Sequence, residues 1–358
     1  MIKKIKFLAK RWFIDAFSGM AQGLFCTLIA GTILEQIGKW IGVDNFFGQT
    51  VISIAQMAKM LMGAGIGVGI AHALKANKLT MFSSAVAGFG GAFADKLIAG
   101  GVTGVGFGLP GNPIGAYVVS ILAVEIVSLY AGKTKLDILI VPLGTLALIF
   151  AGIYLAYPFI WLIKMLGVLI EKATAITPFF MGIVISVVMG VLLTMPTSSA
   201  AIWISIASGV SSDAMLLAGG AAVVGCSCHM IGFAVASFKE NGVSGLISQG
   251  IGTSMLQIPN VMKNPKIMLP EIIASAILGP ISTCLFGLKC NASGGGMGTS
   301  GLVGVFGAIE ASSTLAPWVM ILGIVLLMFV LPAVLSYIFS EIFKKIGWIK
   351  EGDQKLEA

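Results

Sequence analysis

The chain has 358 residues, 57% hydrophobic and 10% charged, with a mean hydropathy of +1.01. A soluble domain carries roughly 25% charged residues, so this composition excludes a water-soluble globular fold and requires lipid around the apolar exterior. The net charge of +7 (22 Lys+Arg, 15 Asp+Glu) does not point to nucleic acid, because the basic residues cluster at the chain ends and in short loops.

Backbone in contact with lipid must satisfy its hydrogen bonds internally, as a helix or a closed barrel. Barrel strands alternate apolar and polar residues. Here the apolar runs are continuous, as in Ile138 to Ile163 and Pro317 to Phe339, and long enough to cross a core about 30 Å thick as helices. The expected class is therefore all-α: a polytopic membrane protein of about ten transmembrane helices with re-entrant or broken segments and an internal repeat.

In chain order, residues 1–13 (MIKKIKFLAKRWF) are basic and amphipathic without a small-residue cleavage site. They read as a cytoplasmic segment on the membrane surface, not a signal peptide. A single transmembrane domain follows over 14–340, with apolar segments near 14–36, 47–74, 79–100, 113–131, 137–163, 176–195, 214–238, 243–259, 271–288 and 317–340. Residues 341–358 form a basic tail. Lysines flanking the first and last runs place both termini in the cytoplasm.

Three stretches, 100–113, 195–212 and 291–313, are too polar or too glycine-rich for simple spans. Non-helical backbone is tolerated at membrane depth only where protein or a water-filled cavity covers it. The repeat rests on two matches. Lys75-Ala-Asn77 precedes Gly88 by the same thirteen-residue spacing as Lys239-Glu-Asn241 precedes Gly252. The glycine run from Gly106 to Gly115 parallels the one from Gly296 to Gly304. The halves would be about 14–163 and 176–340, in the manner of transporters whose discontinuous helices meet at a solute site.

Most of the 47 glycines read as helix-packing positions, Gly63-x-Gly65-x-Gly67-x-Gly69 among them. Leu109-Pro110-Gly111-Asn112-Pro113 is different: proline interrupts the helix, and Asn112 adds a donor and an acceptor suited to a polyol. Thr197, Ser198 and Ser199 follow Pro196; they either cap a helix or face a solute. Ionisable residues inside membrane segments are functional candidates. Asp95 pairs with Lys96 at a helix end or serves function. Glu125 snorkels toward the Gly132 loop. Glu310, after the second glycine run, and His229, in mid-segment, are the strongest candidates, whereas His72 reads as interfacial. The five cysteines suit reduced thiols. Cys226-x-Cys228-His229 lacks zinc spacing, and the glycine runs lack the Gly-Lys-Ser/Thr of a phosphate loop, so neither a metal nor a cofactor is expected.

Gly108-Leu-Pro-Gly-Asn-Pro-Ile-Gly115, Met195-Pro-Thr-Ser-Ser-Ala-Ala201, the Lys239-Glu-Asn241-Gly242 turn and Gly307-Ala-Ile-Glu310 carry a family resemblance. In this order they resemble the membrane IIC component of the phosphoenolpyruvate-dependent sugar phosphotransferase system, in its stand-alone branch of perfringolysin regulator-like proteins. The resemblance, over about 14–340, implies two re-entrant hairpins, a homodimer in the bacterial cell membrane, and a sugar bound near a histidine and a glutamate. By position His229 and Glu310 match those roles, with Asn112, Thr197, Ser198, Ser199, Asp95 and Asn241 as candidate solute contacts. It also implies partners: separate IIA and IIB proteins, the latter carrying phosphate on a cysteine. This chain shows no phosphorylated domain of its own. An ion-coupled transporter of a small polar solute, relying on carboxylates such as Asp95 or Glu125, and a membrane sensor derived from a permease are the alternatives.

Overall fold

The structure, a computed structural model, describes residues 7–98, 112–195, 198–207 and 212–356. Every regular element among them is helical. Among the described residues, five helices are long and apolar enough to cross a membrane, or six if one bent pair counts as a span. The expectation of about ten also counted shorter apolar helices: Pro113–Ser128 and Pro178–Thr194 fall below spanning length. The chain divides into two compact units, 1–166 and 167–358.

In the first unit, α1 (Phe7–Ile41) includes the described part, 7–13, of the expected surface segment without a break. α2 (Phe46–Met60) and α3 (Met62–Ala73) read as one segment in the sequence but are bent by 51°. α4 (Lys78–Ala92), the short α5 (Ala94–Ile98), α6 (Pro113–Ser128) and the start of α7 (Asp137–Ile176) follow. Local chemistry sets several helix starts. Asn45, Asn77 and Asn112 each accept a backbone N–H of the first turn, from Phe47, Thr80 and Gly115 respectively. Such caps satisfy donors that have no partner within the helix. Pro113 stands at the first position of α6, where no amide donor is needed.

The Gly63–Gly69 run packs on two faces. A Cβ on Gly65 or Gly69 would lie 2.8 or 2.1 Å from a carbonyl oxygen of α1 (Gly23, Gly19). One on Gly63 or Gly67 would lie 2.6 or 1.9 Å from a carbonyl oxygen of α4 (Gly88, Ser84). Residues four apart share a helix face, so alternate glycines serve alternate neighbours. α7 has 40 residues with Pro142 and Pro158 inside it, about 60 Å of helix at 1.5 Å per residue. The expected apolar segment 137–163 stops before Lys164, Glu171 and Lys172; the helix continues through them.

In the second unit, α8 (Pro178–Thr194), α9 (Ser199–Ala207) and α10 (Asp213–Ala236) precede α11 (Phe238–Ile247) and the short α12 (Ile258–Lys263). α13 (Pro265–Phe286), an irregular glycine-rich stretch, α14 (Val303–Ala311) and α15 (Pro317–Ile346) complete it. α10 is the most buried candidate span and packs on α8, α13 and α15. A Cβ on Gly225 would sit 1.9 Å from the Ser186 carbonyl oxygen. Gly225→Val is therefore expected to separate α8 from α10 and destabilise the protein by about 3 kcal/mol or more. Gly252→Ala, with no atom within 4 Å of the new Cβ, is expected to be near neutral. Thermal melting of both variants in detergent checks the contrast.

Large apolar side chains such as Phe150, Trp161, Phe180 and Trp318 are exposed, as lipid contact requires. All five cysteines are free thiols.

Candidate functional site

The polar groups buried in the second unit gather around α10. His229 has no exposed surface. Its Nδ1 lies 2.9 Å from Thr194 Oγ1 at the end of α8, and that hydroxyl lies 3.0 Å from Ser254 Oγ. The imidazole Nε2 has no partner. Gly190 makes room for the ring, since a Cβ there would approach His229 Cδ2 to 2.4 Å. A histidine held by one nitrogen and free at the other can donate to or accept from a solute hydroxyl, according to tautomer.

Beside this triad the glycine-rich stretch threads along α10. Cys290 N–H bonds the Leu216 carbonyl at 2.9 Å, and Gly219 and Gly220 leave space for the passing backbone. Ser199 donates to the Gly296 carbonyl at 2.7 Å, and Gly295 lies against the buried Trp203 indole. Gly298, at φ 56°, lies against Cys226 and Ser227. Thr299 and Ser300 donate to the Gly250 and Gly252 carbonyls at 2.6 and 2.9 Å. Leu302 takes a left-handed conformation, φ 59°, which an L-residue with a side chain rarely holds unless its surroundings impose it. Residues 291–302 are thus irregular backbone covered by protein, whereas 303–311 of the expected break form the regular helix α14.

Glu310, exposed on α14, accepts from Asn291 Nδ2 at 2.6 Å. Asn291 Oδ1 accepts the Gly294 N–H at 2.9 Å, and the Asn291 N–H bonds the Gly307 carbonyl at 3.3 Å. One asparagine therefore ties the carboxylate to both ends of the break.

The other expected site residues are dispersed. Ser198 caps α9, accepting the Ala201 N–H at 3.1 Å, and Ser199 reaches the glycine stretch. Thr197, and the proline–glycine motif before Asn112, lie outside the described residues. Asn112 and Asp95 belong to the first unit. Asn112 caps α6. Asp95 pairs with Lys164 at 3.0 Å, not with Lys96; adjacent helical residues point in different directions, and Lys96 instead lies over the Phe93 ring. Glu125 does not snorkel to the Gly132 loop: it accepts from Arg11 at 2.6 Å and Trp12 at 3.1 Å.

Asn241 is engaged at both ends of its amide by the C-terminal tail, donating to the Gln354 carbonyl and accepting the Leu356 N–H at 2.9 and 2.8 Å. Its counterpart in the repeat reading, Asn77, is a helix cap, so the two Lys-x-Asn motifs do different jobs.

The family model described as Phosphotransferase system, EIIC matches residues 14–356. The chain belongs to the phosphotransferase system EIIC family. The match spans both units, so this EIIC chain is a membrane permease component of that system from its first long helix to its docked tail. A search of the curated proteins finds no match. Within the EIIC chain, Thr194, Ser254 and Asn291 are partners that sequence reasoning missed. Thr194 and Ser254 look like ordinary hydroxyls at segment ends, and only the packing of α8 on α10 brings them to His229. Asn291, just ahead of the glycine run, offered the same signal as Asn112.

Proposed function

We propose that this EIIC chain binds a sugar and carries it across the bacterial cell membrane, with phosphorylation supplied by separate IIA and IIB proteins. The observation that carries the reading is the tethering of the Glu310 carboxylate to the irregular glycine-rich stretch through Asn291, on a chain whose family match runs from 14 to 356. A carboxylate at such a break can accept a hydrogen bond from a sugar hydroxyl and orient it. In the transfer step the phosphorus–sulfur bond of a IIB phosphocysteine breaks, the sugar oxygen–phosphorus bond forms, and the hydroxyl proton passes to the carboxylate. His229 Nε2 and the carbonyls of the glycine stretch are the proposed further sugar contacts. We assign both termini to the cytoplasm and the working form to a homodimer.

The carboxylates that an ion-driven carrier was expected to use are already engaged by cations, Asp95 by Lys164 and Glu125 by Arg11. Uptake of labelled sugars into cells with and without the general phosphocarrier proteins tests the proposal. Accumulation of phosphorylated sugar only when those proteins are present is the expected result. Accumulation of unmodified solute driven by a proton or sodium gradient alone overturns it.

A further inference from the structure

Glu271 lies in the first turn of the regular helix Leu269–Pro280 within α13. It has no exposed surface, and among the described residues neither of its carboxylate oxygens has a hydrogen-bond partner. Two further helices meet it there. A Cβ on Gly232 of α10 would lie 2.8 Å from Glu271 Cγ and 2.5 Å from Ser336 Oγ of α15, so Glu271 and Ser336 adjoin across the glycine. Ser340 follows one turn along the same face of α15. Both serines are fully buried with unpartnered hydroxyls. Among the described residues, the unpartnered oxygens of Glu271 and Ser336 therefore meet at the junction of three packed helices, with the unpartnered hydroxyl of Ser340 one turn along α15.

An isolated carboxylate out of water is strongly disfavoured, and among the described residues no side chain hydrogen-bonds or ion-pairs with this one. α8 carries no ionisable residue. On α15, Lys344 and Glu341 pair with each other, and Glu341 also with Lys239. Lys266, at the start of α13, lies over the Trp348 ring. From α10, His229 turns to Thr194.

We propose that Glu271, Ser336 and Ser340 form a binding site for one sodium ion that ties α13 and α15 to α10. The donors are all oxygen, which selects a hard cation. A single carboxylate balances a single charge, whereas divalent sites gather more acidic ligands. The hydroxyls bond neither each other nor the carboxylate, so a proton on Glu271 would leave them unsatisfied, while a cation collects lone pairs from these oxygens at once. Because α10 also carries His229, ion occupancy is linked to the geometry of that residue. The ion site stands or falls independently of the sugar reading.

The test is thermal melting of the purified full-length protein in detergent, at fixed pH and matched ionic strength, in sodium, potassium or choline chloride, with radiolabelled sodium binding alongside. The expected result is a saturable, sodium-specific rise in melting temperature. It is lost in Glu271→Gln and weakened in Ser336→Ala, which preserves the packing, and it is retained in Glu310→Gln. Equal melting of the wild type in all three salts (a bridging water), a response that follows pH and ignores sodium (a proton site), or a sodium response retained in both Glu271→Gln and Ser336→Ala would each overturn the proposal.

Discussion

Glu310→Gln is expected to lower phosphocarrier-dependent sugar uptake by roughly 100-fold or more, the scale of losing a positioned general base, while the protein inserts and melts as the wild type does. Glutamine keeps the size of the side chain and can still accept from Asn291, so the break keeps its tether; only the charge and the proton-accepting oxygen are lost. Because the side chain is exposed, its stability contribution is small. His229→Ala is expected to impair uptake with less tolerance in the fold, since it empties a fully buried position, although Thr194 and Ser254 keep their bond to each other. Labelled-sugar uptake set against melting temperature separates the two effects. Wild-type uptake by Glu310→Gln refutes the assigned role.

Truncation after Gly347 is expected to destabilise the second unit by about 2–5 kcal/mol, on the basis of about 1 kcal/mol net per hydrogen bond and more for each buried group left unpaired. The tail turns back at Gly347, φ 81°. Trp348 stacks on Phe343, Ile349 is buried, and Gln354 is fully buried. A row of amides then reads its backbone: Asn264 donates to the Trp348 carbonyl, Gln257 to that of Gln354 and Asn260 to that of Lys355, at 2.9–3.0 Å. Gln257 is also bonded to Gln249, and Asn260 to Gln257, so losing the tail leaves a connected buried network half satisfied. Ser254, which reaches Thr194 and through it His229, lies in the same helical turn as Gln257, so uptake is expected to fall with stability. Melting temperature and uptake of the truncated chain check this; an unchanged melting temperature rules out the tail as a structural element. Asn241→Ala is expected to reproduce part of the stability loss.

Much of the molecule was legible in advance where the cause is local. Asn112 beside Pro113 announced both an interruption and a helix start, because a side-chain acceptor and a missing amide act within one turn. The four glycines from Gly63 to Gly69 declared close packing, although not that they divide between two neighbours. The irregular character of 291–302 followed from a glycine content that no helix needs. Glu271, by contrast, stands at the edge of the apolar segment 271–288 with nothing in its local sequence to mark it; its burial depends on Gly232 and on α15, which lie outside its own segment. Asp95 was matched to the wrong lysine for a similar reason: adjacency in the chain was taken for adjacency in space.

What the sequence by itself determined is the solvent and the element type. Too few charges to face water, continuous apolar runs and basic flanks leave helices in a bilayer as the solution, and the order of short motifs carries the family. What only the tertiary structure decided is the pairing of polar groups: Arg11 with Glu125 across 114 positions, His229 with Thr194 across 35, and Gln354 with Gln257 across 97. A buried polar atom must find a partner. Which partner it finds depends on the rotation and approach of whole helices, and no local spacing along the chain contains that information.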